Sequence, residues 1–134
     1  MCKPIVAAVV AALMVGSVHA QRKPYPAFHP ADVVVNAAAN TIFATSRTEP
    51  RRTVDVFDGA TQQRKTIDVG GATQGIAVDQ VTQRLYVAVD NPYRVVIMEG
   101  ATGAIAATIG MPLSPGRVFV DPSADKAYVF LDAG

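Results

Sequence analysis

The sequence predicts an all-β protein built from repeated antiparallel units, and three observations support this prediction. An apolar segment, Ile76–Asp79, is followed after a short gap by Arg84–Val89, and the same pair of segments returns downstream as Val118–Asp121 and Lys126–Leu131. The repeated segments are short, alternating and rich in β-branched residues, which favours strands over helices. After Ala20, no stretch combines a helical period with helix caps.

A weaker copy of the repeat lies upstream, at Val33–Asn36 and Thr41–Thr45. Asn36, Asp79 and Asp121 end the first segment of each copy, and they follow one another at nearly equal spacing. A period of about 40 residues made of short strands is typical of β-propeller blades, each a four-stranded antiparallel sheet. We therefore expect blades stacked around an axis, because a single blade has two apolar faces and cannot bury both alone.

Residues 1–20 have the order of a secretory signal peptide, with Lys3 before an uncharged, mostly apolar run from Ile5 to Val18. Small residues end the segment, so we expect cleavage between Ala20 and Gln21 and a periplasmic or secreted mature chain. The run is shorter than the roughly 20 residues that span a bilayer, so we expect a signal-peptide helix and no stable membrane span.

Residues 21–31 are predicted to form an extended, proline-rich lead-in, because proline lacks the N–H group that a strand ladder needs. Residues 32–134 are predicted to form the partial propeller, in units at about 32–70, 75–110 and 117–134. Each unit begins with a short strand that ends in Asn or Asp, followed by a strand with an aromatic residue. In the two full units an alternating third strand and a fourth strand with a Thr-Ile pair come next. The predicted first strands are Asp32–Asn36, Gly75–Asp79 and Arg117–Asp121, and the third strands are Thr53–Asp58 and Arg94–Glu99.

About two and a half blades are present, whereas propellers close with about four to eight. The sequence therefore predicts a fragment of a longer propeller, with assembly of several copies as the alternative. In either case the last hairpin leaves the apolar residues Tyr128, Phe130 and Leu131 uncovered, together with an open strand edge. The expected partners are accordingly the missing blades or further copies of the chain.

Composition excludes some partners. The chain has 12 Lys and Arg residues against 11 Asp and Glu residues, a net charge of +1. This balance gives no electrostatic basis for binding nucleic acid. The single cysteine, Cys2, lies in the predicted signal peptide, so thiol chemistry is not expected in the mature chain.

From about Asp32 to Leu131 the sequence resembles the YVTN-type β-propeller repeat of secreted and cell-surface proteins, which form seven-bladed propellers, and the second unit fits it best. The residues that carry the resemblance are Gly75–Asp79, Arg84–Ala88, Arg94–Met98, Ala101–Gly103 and Ala107–Ile109. The first unit departs from the pattern, with Phe43 in place of the usual tyrosine and Asn36 in place of aspartate. The resemblance implies a binding or surface module, and the family has no shared catalytic residues to transfer.

Asp79 and Asp121 are the recurring polar residues, and we expect each to accept hydrogen bonds from the backbone of the turn that follows. Tyr86 and Tyr128 share one repeat position, so packing between blades is expected. We expect no catalytic residue, no cofactor and no metal site, because no nucleophile motif or ligand spacing is present.

Three functions remain open. The first is an exported non-enzymatic propeller module that binds an unknown protein or glycan, or scaffolds, through blade-face loops. The second is the N-terminal fragment of a propeller enzyme, lactonase-like or haem-carrying, whose active residues lie in missing blades. The third is a truncated paralogue without independent activity.

Overall fold

The computed structural model describes residues 30–46 and 51–133. Within these ranges the chain is all-β, with ten strands in three antiparallel sheets and no helix. The predicted signal-peptide helix of residues 1–20 lies outside the described residues, as does most of the predicted lead-in. The all-β, antiparallel prediction is confirmed.

The first two sheets each contain four strands in chain order. The first sheet consists of β1 (Pro30–Asn36), β2 (Thr41–Ser46), β3 (Thr53–Asp58) and β4 (Arg64–Asp68). The second sheet consists of β5 (Ala72–Asp79), β6 (Arg84–Asp90), β7 (Arg94–Glu99) and β8 (Ile105–Gly110). The third sheet is the hairpin of β9 (Ser114–Asp121) and β10 (Lys126–Asp132).

The three opening hairpins have the same register. Val34 pairs with Phe43 in the first sheet, Ala77 with Tyr86 in the second and Phe119 with Tyr128 in the third. A short turn closes each hairpin, and its last residue has a left-handed backbone. The φ angles of these residues are 52° at Asn40, 59° at Gln83 and 51° at Asp125. The repeat in the sequence is therefore a repeat of pairing register and of turn geometry.

The first strand of each sheet begins earlier than the sequence predicts. β1 begins at Pro30, β5 at Ala72 and β9 at Ser114, and the register of each opening hairpin shifts near the predicted start. Such bulges bend a strand and interrupt the alternation on which the prediction depends. Pro30 fits because it is the first residue of β1, which lies at the edge of its sheet, where proline is tolerated.

The main core lies between the facing surfaces of the first and second sheets. The first sheet contributes Phe43, Val54 and Val56, all buried, and the second sheet faces them with Ile76, Leu85, Val87, Val96 and Met98. Strand alternation directs Ala77 and Tyr86 to the opposite face of the second sheet. On that side β5 and β6 contact β9, whose Val118 is buried.

The first strands of successive sheets lie next to one another. β5 contacts both β1 and β9. At Gly75 the backbones of β5 and β9 approach so closely that a Cβ atom would collide with the carbonyl oxygen of Gly116. Glycine is required here because no side chain fits between the two strands. The second sheet thus turns one face to the first sheet and the other to the third.

Candidate functional site

Acidic side chains do not converge in the described structure. Within residues 30–46 and 51–133, no group of three or more His, Cys, Asp or Glu residues could hold a metal ion. The same part of the chain forms no helix that is long and apolar enough to cross a membrane. The predicted cleavage residues Ala20 and Gln21 lie outside the described residues.

Asp79 and Asp121 each accept hydrogen bonds from the turn that follows their strand. Asp79 Oδ1 accepts from the backbone N–H groups of Val81 at 2.8 Å and Thr82 at 3.1 Å. Asp121 Oδ1 accepts from the N–H and hydroxyl of Ser123, at 3.0 and 2.6 Å, and from the N–H of Ala124 at 3.3 Å. These are the contacts of Asx turns, which fix the direction of the chain between two strands.

The same contacts set the ionisation of the two carboxyls. Burial raises the pKa of Asp79, but hydrogen bonds from Thr82 and Val81 and the charge of Arg84 outweigh it, and the pKa lies below its usual value. For Asp121 the hydroxyl hydrogen bond from Ser123 has the largest effect and lowers the pKa. Burial comes next and raises the pKa, and backbone hydrogen bonds from Ala124 and Ser123 lower it further, so that the pKa lies below its usual value. Both carboxylates therefore stay charged at neutral pH and serve the turns.

Asn36 occupies the repeat position of Asp79 and Asp121 but makes different contacts. Its buried side-chain amide donates to Gln83 Oε1 at 2.7 Å and to the carbonyl oxygen of Gly100 at 2.9 Å. Both acceptors belong to turns of the second sheet. A carboxylate could not make either bond because it has no hydrogen to donate. The asparagine at this repeat position thus connects the first sheet to the second.

Gln80 adds two further hydrogen bonds at the same boundary. Its Nε2 donates to the carbonyl oxygen of Val35 at 2.6 Å, and its Oε1 accepts from the N–H of Ala37 at 3.0 Å. The repeat pattern of the sequence does not predict this role of Asn36, Gln80 and Gln83. Two features of the sequence could have indicated it. Gln80 and Gln83 lie in the turn after Asp79, and the first unit carries Asn36 where the later units carry aspartate.

Asp55 is the one charged residue among the buried residues of the first sheet, and its partners surround it. Its oxygens accept from Arg64 Nε at 3.1 Å, from Arg64 Nη2 at 3.0 Å and from Thr66 Oγ1 at 2.5 Å. The Arg64 guanidinium also lies 5.9 Å from the centre of the Phe57 ring. The ion pair connects β3 to β4, and Arg64 and Thr66 together occupy both oxygens of the Asp55 carboxylate.

The third sheet exposes an aromatic face, which is the strongest candidate for a functional surface. Phe119 is 51% exposed, Tyr128 51% and Phe130 60%. The rings of Phe119 and Phe130 are 5.4 Å apart at an interplanar angle of 75°, an edge-to-face contact. We call Phe119, Tyr128 and Phe130 the aromatic face. Contiguous exposed apolar surface of this kind marks interaction sites in soluble proteins.

The two repeat tyrosines differ in their surroundings. Tyr86 is half-buried, on the face of the second sheet that β9 contacts. Tyr128 is half exposed, with nothing in the described structure covering the outer face of its sheet. The expected packing role therefore fits Tyr86 in part, whereas Tyr128 belongs to an open surface. Phe119 was missed because its orientation depends on the hairpin register.

Comparison of the sequence with protein-family models gives no matching family, and comparison with curated proteins gives no match either. The resemblance to the YVTN-type repeat therefore rests on the repeat residues of the chain alone.

Proposed function

We propose that this chain is an exported, non-enzymatic β-propeller repeat module that binds or scaffolds a partner. The observation that carries the proposal is the regular stacking of the three described sheets, together with the exposed aromatic face of the third. Sheets with matching hairpin register, packed face to face through their first strands, are what propeller blades require. The similarity of the second unit to the YVTN-type repeat agrees with this role.

The aromatic face supports a binding role better than the turns do. The Oδ1 atoms of Asp79 and Asp121 accept hydrogen bonds from the turns that follow their own strands, which assigns these carboxylates a structural role. Phe119, Tyr128 and Phe130 instead present rigid apolar surface, and aromatic anchors contribute strongly to protein interfaces. We therefore propose the aromatic face as the binding surface, in place of the blade-face loops expected from the sequence.

Photo-crosslinking tests the binding role. A benzophenone amino acid in place of Tyr128, in the full chain produced in its own cells, should crosslink to a protein partner. Mass spectrometry should then map the captured peptide to one defined surface of that partner. The matched control carries the same group at Val81, an exposed apolar residue in the turn after Asp79 (72% exposed). Crosslinking no greater at position 128 than at 81 would refute the binding role.

The export part of the proposal rests on the order of residues 1–20. N-terminal sequencing of the chain recovered outside the cytoplasm should give Gln21 as the first residue. Recovery of a chain that begins at Met1 in that fraction would contradict export by cleavage.

A further inference from the structure

The first sheet buries residues on the face that is turned away from the second sheet. Strand alternation directs Ile42 and Ala44 of β2 to this side, because Phe43 between them lies in the core against the second sheet. Ile42 is 4% exposed and Ala44 1%, and Asp55 on β3 is also 1% exposed. We call this side of the first sheet the outer face.

The residues of the outer face form two rows that cross the four strands in order. The rows are Val33, Ala44, Asp55 and Thr66, and Val35, Ile42, Phe57 and Arg64. The exposed fraction depends on the strand. On β1, Val33 is 45% and Val35 37% exposed, and the row residues on β4 are exposed as well, whereas those on β2 and β3 are buried or half-buried. The covered part of the outer face is thus a band over β2 and β3.

The described strands do not account for the burial of this band. Outside their own sheet, β1, β2 and β3 contact chiefly β5, which lies on the opposite face. Ile42 forms a cluster of its own with Phe57. Arg64 pairs with Asp55, but the side chain of Arg64 is itself 44% exposed. Since Tyr128 is 51% exposed on a sheet face without a described neighbour, the burial of the band requires a cover from outside the described strands.

Residues 21–29 lead directly into this sheet, and their composition suits such a cover. They lie outside the described residues and join the sheet at Pro30, the first residue of β1. Their prolines lack the N–H group that a strand ladder needs, which disfavours an additional strand. Tyr25 and Phe28 supply aromatic rings, which bury large apolar areas. Residues 1–20 are expected to be removed with the signal peptide and are not assigned this role.

The buried band lies within reach of this segment. Tyr25 is five positions before Pro30, and at about 3.1 Å per residue in polyproline II conformation its backbone reaches up to about 15 Å from that point. Ala44 pairs with Val33, about 10 Å along β1 from Pro30 and about 5 Å across to β2. Ala44 is also the smallest side chain in its row, which leaves room for an aromatic ring above it.

We propose that residues 21–29 fold back over the outer face as an N-terminal strap, with the ring of Tyr25 against Ile42 and Ala44. The strap covers β2 and β3 and leaves the two valines of β1 exposed beside it. Burial of the ring and of the band removes apolar surface from water, which stabilises the contact. This inference goes beyond the proposed function, because it concerns the first sheet and does not depend on the aromatic face.

Photo-crosslinking from the strap tests the contact. A benzophenone amino acid in place of Tyr25, in the full chain, should crosslink to Ile42, Ala44 or Phe57, as mapped by mass spectrometry. In an equal mixture of unlabelled and nitrogen-15-labelled chains, both halves of each crosslink should carry the same isotope, because the strap and the sheet belong to one chain. The matched control carries the same group at Tyr93, in the second sheet, and should not reach the outer face.

Hydrogen exchange provides a second measurement. Tyr25→Ser combined with Phe28→Ser should speed the exchange of the Ile42 and Ala44 amides at least about tenfold, because local opening becomes easier when the cover is lost. Tyr93→Ser, which removes a ring that is 45% exposed, should leave these amides unchanged. Exchange at Leu85, in the core between the first two sheets, separates a local effect from a general loss of stability.

Four outcomes overturn the strap. They are crosslinks from position 25 that miss the outer face, crosslinks of mixed isotope, unchanged exchange in the double variant, and an equal acceleration at Leu85. Mixed isotopes would identify a second copy as the occupant, and capture of another protein would identify that protein instead. If the double variant fails to fold, crosslinking alone decides. None of these results bears on crosslinking from position 128, which tests the proposed function separately.

Discussion

The side chains of Asn36 and Gln83 meet across the boundary between two sheets although they lie far apart in the chain, with Asn36 Nδ2 donating to Gln83 Oε1 at 2.7 Å. The same amide reaches the carbonyl oxygen of Gly100 in the next turn. The turns after β1, β5 and β7 therefore meet at the buried side-chain amide of Asn36. The contact explains why the first unit carries asparagine where the later units carry aspartate.

Asn36→Asp should destabilise the fold by roughly 3 kcal/mol, because it buries a carboxylate against two acceptor oxygens and removes both donors. Urea unfolding at neutral pH measures the loss as a lower midpoint. Asn91→Asp is the matched control, since Asn91 is exposed in the turn between β6 and β7. Equal midpoints for the two variants would show that the amide does not hold the sheets together.

Phe43→Ala should lower the free energy of unfolding by about 3–5 kcal/mol, because Phe43 is fully buried between the first two sheets. Tyr93→Ala removes an aromatic ring that is 45% exposed and should cost much less, within about 1 kcal/mol. Thermal and urea unfolding of both variants provide the comparison. A Phe43→Ala chain as stable as the Tyr93→Ala chain would contradict the placement of the core.

Gly103→Ala should destabilise the fold by about 1–3 kcal/mol, for two reasons that act together. The φ angle of Gly103 is 75°, and an added Cβ would lie 2.6 Å from Ile67 Cδ1 and 2.8 Å from Val56 Cγ2. Gly110→Ala is the control, because no atom lies within 4 Å of its added Cβ. Its unfolding midpoint should remain close to that of the unchanged chain. An equal fall in the unfolding midpoint of both variants would contradict the turn geometry at Gly103.

Asp79 should make the stability of the fold depend on acidity. Its pKa is lowered in the folded chain, so its stabilisation is complete above the unfolded pKa of about 3.9 and is lost as pH falls through the folded value. Asp79→Asn should therefore lower the urea midpoint at about pH 6, and the difference from the unchanged chain should shrink toward about pH 3. Glu99→Gln removes an exposed carboxylate at the end of β7 and serves as the control. A difference between Asp79→Asn and the unchanged chain that stays constant over this range would refute the pKa argument.

The sequence predicted the hairpins because their determinants are local. Asp79 and Asp121 mark strand ends, and the residues on either side alternate with a period of two. The starts of β5 and β9 were placed too late because glycine and the bulges near Gly75 and Gly116 interrupt that alternation. Local pattern thus locates turns better than it locates bulged strand ends.

The candidate site was less predictable because it depends on contacts between distant residues. The donor role of Asn36 requires Gln83 and Gly100 to lie beside it, and the residue type gives no sign of this. The exposure of Phe119 requires the register that pairs it with Tyr128 and a third sheet without a described neighbour on that side. Tyr128, Phe130 and Leu131 could be named in advance since they belong to the last predicted strand.

The common register of the three hairpins makes the chain extendable by duplication. The segment from Ala72 to Leu113 begins and ends at equivalent points, since β5 starts at Ala72 and β9 at Ser114. A second copy of this segment placed after Leu113 would meet neighbours of the same kind on both of its faces. Recombination between equivalent points could therefore lengthen or shorten such a chain by one whole sheet, leaving the surfaces at its two ends unchanged.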